Sequence, residues 1–422
     1  MAPRQDRLIF DTHVLPNGIT VYHKPMDVPF AMMRIIVPVG HVHNTSDIPN
    51  GSAHFLEHMV CKRCTLYPAE GSFEDRINMS GGESNAYTTP TFTAYETNVP
   101  STLFEEGFRA LFSRVFEPIL DESGIAHERS IISSERRRAS KWYPVDNDLV
   151  HYVGTHWMEQ ERLAIEQVLG GDADLQTIDV PTLEHLHRHY FSQETKILIG
   201  GTCDIGLAVR ELEKLPTNKD ALPAVYPPFR WGRKGYHEKA FDDEHRFTIH
   251  RGGLLPRKDI RTLVATRCLH DLLVDPTSGA LYNWLRNEKG WSYGLPFHVN
   301  KGIQVRGPAF MVLALPLNEK KQVSIVRAEL DQRIEAALDD RDLIAAVLRR
   351  FILGSVFQFQ RLADVFHFAE EMLTSLATVP TEAELLQQLE SLEDGEYLRE
   401  MYRTAWTKDA VGEFLSTPLT GK

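Results

Sequence analysis

The pattern of apolar and polar positions in the first half of the chain predicts strands mixed with helices. Residues 31–39 form a β-branched run that predicts a central strand, and residues 196–201 predict a short buried strand. Residues 84–99 are rich in threonine and aromatic side chains and predict a pair of strands. Asn17 and Gly18 stand between two strand-like runs, and this dipeptide favours the positive φ angles of a tight turn. We therefore expect a β-hairpin over residues 14–22.

Helical spacing of apolar side chains accounts for much of the rest. In the first half it predicts helices over residues 52–62, 105–116 and 123–141. The second half repeats the order of the first. It predicts a strand over residues 245–250, helices over 262–273 and 278–289, and strands over 291–300 and 308–315. Further helices are predicted over 319–373, with a break at Asp339 and Asp340. The repetition indicates duplication of one α+β unit.

A proline-rich segment separates the two repeats. Residues 215–229 contain four prolines and show no sustained periodicity, which is typical of an extended linker. We therefore predict an N-terminal domain over residues 1–214, a linker over 215–230 and a C-terminal domain over 231–422. The predicted fold class is α+β, with two tandem homologous α/β-sandwich domains, each a mostly antiparallel sheet packed with helices.

Composition and charge exclude several classes of protein. The chain has 422 residues and a net charge of −12, and 42% of its residues are hydrophobic, which excludes disorder as the main state. Residues 1–213 hold 18 Lys and Arg against 30 Asp and Glu, so the whole excess of negative charge lies in the first half. An acidic half argues against a nucleic-acid surface. No run of apolar residues is long enough to span a membrane, and no secretory or organellar leader is evident. Four cysteines in a chain of this length do not indicate a disulfide framework. We therefore expect a cytoplasmic protein.

The segment at residues 54–58 carries the clearest chemical signal. His54 and His58 are four residues apart and share one face of the predicted helix, so two imidazoles can bind one Zn²⁺. Glu57 lies beside them, and a carboxylate there can take a proton from the attacking water. The order His-x-x-Glu-His is the inverse of the commoner zinc-peptidase motif and defines its own class of peptidase. For five residues alone, an amphipathic helix with chance histidines remains an alternative.

A zinc peptidase needs a third protein ligand, which is usually a carboxylate. Glu128 and Glu135 share one face of the helix predicted over residues 123–141 with Ile131 and Ile132. An unpaired carboxylate on an apolar face is costly, and a metal would pair one of them. The alternative is that both glutamates lie at the edge of a solvated stripe.

Taken together, these motifs resemble the pitrilysin/insulinase family of zinc metallopeptidases. The segment 53–59, with Glu135 lying 77 residues after His58, is similar to the family's metal motif. Residues 15–18 resemble its N-terminal hairpin, and residues 81–88 resemble the Gly-Gly-x-x-Asn-Ala-x-Thr stretch of its substrate-binding edge strand. The length resembles that of the half-size branch, which includes mitochondrial processing peptidases and their bacterial relatives.

The resemblance implies a role for each matching residue. It makes His54, His58 and Glu135 the ligands of one zinc ion per chain and Glu57 the general base. It places Glu128 near the metal without binding it. It also makes Asn85 and Ala86 hold the substrate backbone by strand addition, in which main-chain hydrogen bonds confer little sequence preference.

The second half has no His-x-x-Glu-His motif, but it contains Arg286 and Tyr293, seven residues apart. The resemblance implies that this pair donates hydrogen bonds to the scissile carbonyl as it becomes an oxyanion. The alternative is a helix-terminal arginine and a strand tyrosine that only pack. In some half-size relatives the zinc motif and the Arg/Tyr pair lie on different subunits, whereas this chain holds both.

The sequence therefore predicts a zinc-dependent endopeptidase that hydrolyses peptides or unfolded segments inside a closed chamber, as a homodimer or as a heterodimer with a related chain. It predicts no nucleic-acid or membrane partner. The alternative is a non-catalytic or partner-dependent subunit of a peptidase-like heteromeric complex. A redox or metal-storage role built on Cys61 and Cys64 has little support, because a lone Cys-x-x-Cys lacks a second ligand pair.

Overall fold

The first half of the chain builds a six-stranded sheet. The computed structural model describes residues 6–45, 47–89, 91–142, 168–220, 222, 235–241, 245–255, 259–295, 297–300, 309–405 and 412–418. The strands of the first sheet are β1 Asp11–Val14, β2 Thr20–Pro25, β3 Phe30–Val37, β4 Glu83–Thr88, β5 Thr93–Pro100 and β6 Lys196–Gly201. Their order is β1-β2-β6-β3-β5-β4, and every neighbouring pair is antiparallel except β2 with β6. The strand β4 is therefore an edge of the sheet.

The predicted hairpin is present as β1 and β2. Gly18 adopts a φ of +87° in the connecting turn, a conformation that glycine reaches without strain. The side-chain amide of Asn17 donates hydrogen bonds to the carbonyl oxygens of Leu212 and Leu215, at 2.8 and 3.2 Å. The turn is thereby tied to the end of the first half.

Seven α-helices of the first half have bounds within the described residues. They are α1 Ser52–Lys62, α2 Ser72–Met79, α3 Phe104–Phe116, α4 Glu122–Trp142, α5 Asp172–Thr177, α6 Val180–His187 and α7 Ile205–Leu212. Side chains of α1, α3, α4, α6 and α7 join one face of the sheet in a continuous apolar core. The helices predicted over residues 52–62, 105–116 and 123–141 correspond to α1, α3 and α4.

The second half builds a five-stranded sheet of the same connectivity. Its strands are β7 Gly235–Phe241, β8 Phe247–Leu255, β9 Phe297–Asn300, β10 Ala309–Leu317 and β11 Gly412–Pro418. The order β7-β11-β8-β10-β9, with only β7 and β11 parallel, repeats the order β2-β6-β3-β5-β4. The two halves are thus copies of one α+β unit, each with a mostly antiparallel sheet, as the sequence predicts.

The helices of the second half cover its sheet and extend toward the first half. They are α8 Ile260–Val274, α9 Ala280–Tyr282 continuing as a π-helix over Asn283–Glu288, α10 Lys320–Asp339, α11 Arg341–Gln358, α12 Leu362–Leu376, α13 Glu382–Glu390 and α14 Glu396–Ala405. The predicted break at residues 339 and 340 separates α10 from α11. Within the described ranges, no helix is both long and apolar enough to cross a bilayer.

One helix of the second half packs on the sheet of the first. Leu362, Phe366, Ala369 and Leu373 of α12 form an apolar cluster with side chains of β3, β5 and β6. A Cβ atom at Gly200 on β6 would lie 2.9 Å from Leu362 and Phe366, so the glycine allows the helix to approach. The sheet of the first half is therefore covered on both faces.

One predicted strand differs from the structure, and the predicted linker is not tested by it. A strand is predicted over residues 291–300, and the structure has β9 at Phe297–Asn300. Residues 291–295, which include Tyr293, lie in a loop. Gly290 has a φ of +65°, a left-handed conformation that ends the preceding π-helix, and a loop follows before the strand. Most of the predicted linker, residues 215–230, lies outside the described residues, and the predicted domain limits stay a prediction.

Candidate metal centre and active site

Helix α1 places the histidine motif at the border between core and solvent. The helix starts after Gly51, whose φ is +84° and whose Cβ would meet the backbone of Gly170 at 2.8 Å. Its apolar side chains Phe55, Leu56, Met59 and Val60 are fully buried in the core. Because that face anchors the helix, the opposite face holds His54, Glu57 and His58 in fixed positions.

Helix α4 brings Glu135 to this face. The Oε2 atom of Glu135 lies 3.4 Å from Nε2 of His58 and 3.9 Å from Nε2 of His54. The ligand atoms of the three residues all lie within 4.8 Å of one another. Two ligand atoms that bind a tetrahedral zinc ion at ~2.0–2.1 Å lie ~3.3–3.4 Å apart. The two imidazoles and the carboxylate therefore fit one zinc ion, with small movements of His54.

The ring of His54 gives a second indication that the donors fit a metal. The side chain is buried, its Nδ1 atom has no hydrogen-bond partner among the described residues, and its Nε2 atom is too far from Glu135 for a hydrogen bond. A buried imidazole without a protein hydrogen bond is costly. A cation at Nε2 would give the ring one polar partner, and Nδ1 would then carry the ring proton.

Glu128 orients His58. The Oε2 atom of Glu128 accepts a hydrogen bond from Nδ1 of His58 at 2.9 Å, and its Oε1 atom accepts one from Lys62 at 2.7 Å. Lys62 also donates to Glu70 at 2.5 Å. A carboxylate on the far nitrogen of a histidine fixes the tautomer and the ring, and leaves Nε2 free to bind a metal. Glu128 thus lies beside the cluster and does not belong to it.

The two imidazoles have different proton affinities. Burial, reinforced by the neighbouring His58, lowers the pKa of His54 to about 4, although Glu135 opposes the change. Burial also acts to lower the pKa of His58, but hydrogen bonds with Glu128 and Glu135 outweigh it and raise that pKa to about 9. The hydrogen bond from His58 lowers the pKa of Glu135, which favours the charged carboxylate that a metal requires.

Glu57 is held by the neighbouring strand. The hydroxyl of Thr88, the last residue of β4, donates a hydrogen bond to Oε2 of Glu57 at 2.5 Å. Burial raises the pKa of Glu57, and the hydrogen bond from Thr88 partly opposes the rise. A buried carboxyl with a raised pKa is suited to exchanging a proton, as a general base must.

The histidines and Glu57 open into a cleft of about 790 Å³. Its described lining consists of His54, Glu57 and His58 from α1, Ala86 and Tyr87 from β4, and Ser130, Ile131, Ser134, Glu135 and Arg138 from α4. Ala86 faces the cleft, whereas Asn85 is exposed and is not part of this lining. Since no described strand pairs with the outer side of β4, its backbone groups there border the cleft and can pair with an extended peptide.

A buried polar network connects β4 with the second half. The hydroxyl of Tyr87 donates a hydrogen bond to Oε2 of Glu370 on α12 at 2.5 Å. Arg34 on β3 donates to the same oxygen at 2.6 Å and forms an ion pair with Glu96 at 2.8 Å. Adjacent residues of β4 therefore contact Glu57 on one face of the sheet and the second half on the other.

Arg286 and Tyr293 contact each other and not the metal cluster. The guanidinium of Arg286 lies over the ring of Tyr293, 4.4 Å from its centroid. Tyr293 is 73% exposed. Within the part of the chain that the structure describes, neither residue lines the cleft or hydrogen-bonds to the cluster. The structure thus brings together His54, Glu57, His58, Glu128, Glu135 and Ala86, but not this pair.

The sequence patterns predict no role for Thr88, Lys62 or Glu370. Lys62 follows His58 by four residues, so helical spacing could have placed it on the motif face. Thr88 is the last residue of the stretch that resembles the family's edge strand, which was a usable signal. Glu370 is separated by 336 residues from Arg34, and a local sequence pattern does not predict a contact between segments so far apart.

Comparison with known proteins gives the same family as the motifs. Residues 20–165 match the family model described as insulinase, peptidase family M16. The chain is 26% identical over 275 residues to insulin-degrading enzyme of Drosophila melanogaster, an alignment covering 61% of this chain and 26% of that protein. It is 25% identical over 300 residues to an uncharacterized zinc protease of Rickettsia felis, covering 68% of this chain and 69% of the relative. The chain thus spans about a quarter of the length of the first of these relatives.

Solved structures share the fold. A protease from Helicobacter pylori matches with a TM-score of 0.77 at 18% identity, over 97% of this chain and 99% of that chain. A peptidase M16 inactive domain from Pseudomonas fluorescens also matches with a TM-score of 0.77, at 14% identity, over 98% of this chain and 99% of that chain. The family resemblance and the fold class predicted from the sequence are confirmed.

Proposed function

Residues 20–165 carry an insulinase-family domain, and from this premise we propose that the chain is a zinc-dependent endopeptidase that hydrolyses peptides or unfolded segments. The observation that supports it best is the convergence of His54, His58 and Glu135 on one point, with Glu57 beside them in the same cleft. The inverted motif is intact at residues 54–58.

In this proposal His54, His58 and Glu135 hold one zinc ion per chain. A bound zinc ion lowers the pKa of water to ~7 and polarises the scissile carbonyl. Glu57 accepts the proton of the attacking water and returns it to the leaving amine. The backbone of β4 at Asn85 and Ala86 pairs with the substrate in an extended conformation, which folded proteins do not offer.

The substrate class follows from this strand and from charge. A peptide must enter the space beside β4 with free backbone groups, so we propose short or unfolded substrates within a chamber that the halves enclose. Residues 1–213 carry 18 basic and 30 acidic side chains, so the long-range field attracts neutral or basic peptides. Added salt should weaken this attraction, because exposed charges are screened over ~8–10 Å near physiological ionic strength.

A partner-dependent enzyme is the second candidate, and the position of Arg286 and Tyr293 favours it. The pair is at the surface and makes no contact with the cluster in the described residues, although its proposed role is to stabilise the oxyanion. A second copy of this chain, or a related chain, could bring the pair to the metal. A non-catalytic subunit is the remaining alternative, and the intact His-x-x-Glu-His motif makes it less favoured.

The proposed function is tested with purified protein, zinc analysis and a mixed pool of unfolded peptides. We expect about one zinc per chain, cleavage that a chelator abolishes and zinc restores, and loss of the metal in His58→Ala. Glu57→Gln keeps the shape of the side chain but cannot accept the proton, so it should retain zinc and bind peptide with little turnover. Full zinc retention in His58→Ala would overturn the ligand assignment, and near-normal activity of Glu57→Gln would overturn the assignment of the base.

A further inference from the structure

Apart from the histidines, Arg138 is the one basic residue among the described residues that line the cleft. Among the described lining residues the charged groups other than the histidines are Glu57, Glu135 and Arg138. On α4, Ile131, Glu135 and Arg138 follow one another at spacings of four and three residues, so they share one face of the helix. This stripe presents an apolar side chain, a carboxylate and a guanidinium in succession to the space opposite β4.

Among the described residues, the guanidinium of Arg138 has no partner that neutralises its charge. It forms no hydrogen bond or ion pair with any described residue, although its charge helps to lower the pKa of Glu135. The two preceding arginines are engaged, because Arg136 forms an ion pair with Asp172 at 2.6 Å and Arg137 donates a hydrogen bond to Ser134 at 2.8 Å. Neither of them lines the cleft.

Helical geometry sets Arg138 to one side of the metal cluster. With a rise of ~1.5 Å per residue, Ile131 lies ~6 Å from Glu135 along the helix axis and Arg138 lies ~4.5 Å from it in the other direction. An extended peptide advances ~3.3 Å per residue, so these offsets correspond to one or two residues of substrate. Ile131 is 42% exposed and offers apolar contact on its side.

We propose that Arg138 is a specificity-determining residue that binds an acidic side chain of the substrate, one or two residues from the scissile bond on the side of α4 away from Ile131. The inference rests on the proposed peptidase function and names a feature of its substrate. A guanidinium binds a carboxylate through paired hydrogen bonds, which a neutral amide cannot match.

This local preference is opposite in sign to the long-range field, and the two act at different distances. The electrostatic field of the acidic half favours peptides of positive net charge whatever their sequence, and added salt screens this field. A contact with Arg138 depends on the position of one carboxylate and is screened less. The best substrate is therefore neutral or basic overall, with a glutamate or aspartate at one defined position.

Binding measurements on the Glu57→Gln protein test the assignment without requiring turnover. A fluorescent peptide is made with glutamine at every variable position and then with glutamate at each position in turn, and Kd is measured by anisotropy at low and high salt. We expect glutamate to bind roughly 3- to 30-fold tighter than glutamine at one or two adjacent positions. Adding Arg138→Gln should remove this preference, Arg138→Lys should keep part of it and Arg138→Glu should reverse it.

Arg137→Gln in the same background is the matched control, since it removes a neighbouring charge that does not line the cleft, and it should leave the preference unchanged. Thermal melting of each variant checks folding. Equal binding of glutamate and glutamine peptides at every position, a preference that survives Arg138→Gln, or no binding of any peptide would overturn the assignment. Peptides that show the preference and yet are not cleaved by the zinc-loaded wild type would refute the peptidase function while leaving the role of Arg138 intact.

Discussion

The hydroxyl of Thr88 donates a hydrogen bond to the carboxylate of Glu57 across 2.5 Å, and so connects the edge strand β4 with the proposed base on α1. The bond occupies Oε2 of Glu57. It leaves the other carboxylate oxygen for the water that Glu57 is proposed to deprotonate. In the proposed function, peptide binding and the orientation of the base would both depend on this short strand.

Thr88→Val keeps the shape of the side chain and removes the donor, so Glu57 should lose its fixed orientation. We expect kcat to fall about tenfold, which corresponds to ~1.4 kcal/mol, with KM little changed. Thr88→Ser restores a hydroxyl and should recover most of the activity. Steady-state kinetics on a peptide substrate, with zinc content checked in parallel, measure the effect. Equal activity of the valine and serine variants would show that the hydrogen bond does not position Glu57.

Glu128 should matter for metal affinity rather than for the chemistry itself. Glu128→Ala removes the acceptor on Nδ1 of His58, and loss of such a partner typically weakens zinc binding by about 10- to 100-fold. Competition with a chromophoric chelator measures the dissociation constant. Glu122→Ala, which removes an exposed carboxylate at the start of the same helix, serves as the control and should bind zinc like the wild type. Unchanged affinity in Glu128→Ala would mean that the helix alone orients His58.

Arg286→Ala and Tyr293→Phe should lower kcat more than they raise KM, because their proposed hydrogen bonds strengthen in the transition state. Mixing then tells whether the pair acts within one chain or across two. The Glu57→Gln and Arg286→Ala proteins are mixed and allowed to exchange subunits. If the pair acts across a symmetric dimer, each mixed dimer has one complete site out of two. Half of the dimers are mixed, so about a quarter of wild-type activity should return. If the two proteins exchange subunits and no activity returns, Arg286 and Tyr293 act on the site of the same chain. Full activity of both single variants would leave the pair a packing role only.

Stability should fall on acidification because of two buried histidines beside β3. Burial lowers the pKa of His41 and of His43 to about 4, whereas both titrate near 6.5 in the unfolded chain. The unfolded state therefore binds more protons between pH 6.5 and 4, and the free energy of unfolding decreases as the pH falls through this window. Urea unfolding of zinc-loaded wild type and His43→Gln at pH 7.5 and 5.5 measures the effect. The variant should lose less stability between the two pH values, and an equal loss would exclude His43 as a contributor.

Local signals in the sequence predicted most of the fold. Residues 52–62 coincide with α1, because a buried apolar stripe and a glycine before Ser52 define the helix locally. Strands β3 to β6 follow runs of β-branched or aromatic residues. The aromatic residues of 291–295 predict a strand there, but these residues form a loop that follows the left-handed Gly290.

The metal cluster could be proposed from the spacing of His54 and His58 and from the helical stripe that contains Glu135. The surroundings of the cluster could not, because they depend on contacts between distant segments. Tyr87 and Glu370 are 283 residues apart, and their hydrogen bond exists only because α12 packs on the first sheet. A sequence pattern reports which face of an element is apolar, but not which element covers it.

The packing of α12 on the first sheet has a consequence for how the protein folds. Without that helix, Met32, Ile36 and Leu198 would be exposed as one apolar surface. Of the two described ion-pair partners of Arg34, Glu96 alone would remain. Although each half has its own sheet and its own core, a first half produced alone should therefore be prone to aggregation. The two repeats are expected to reach their native state as one cooperative unit, so that the strand beside the cleft acquires its final position only after synthesis has passed residue 376.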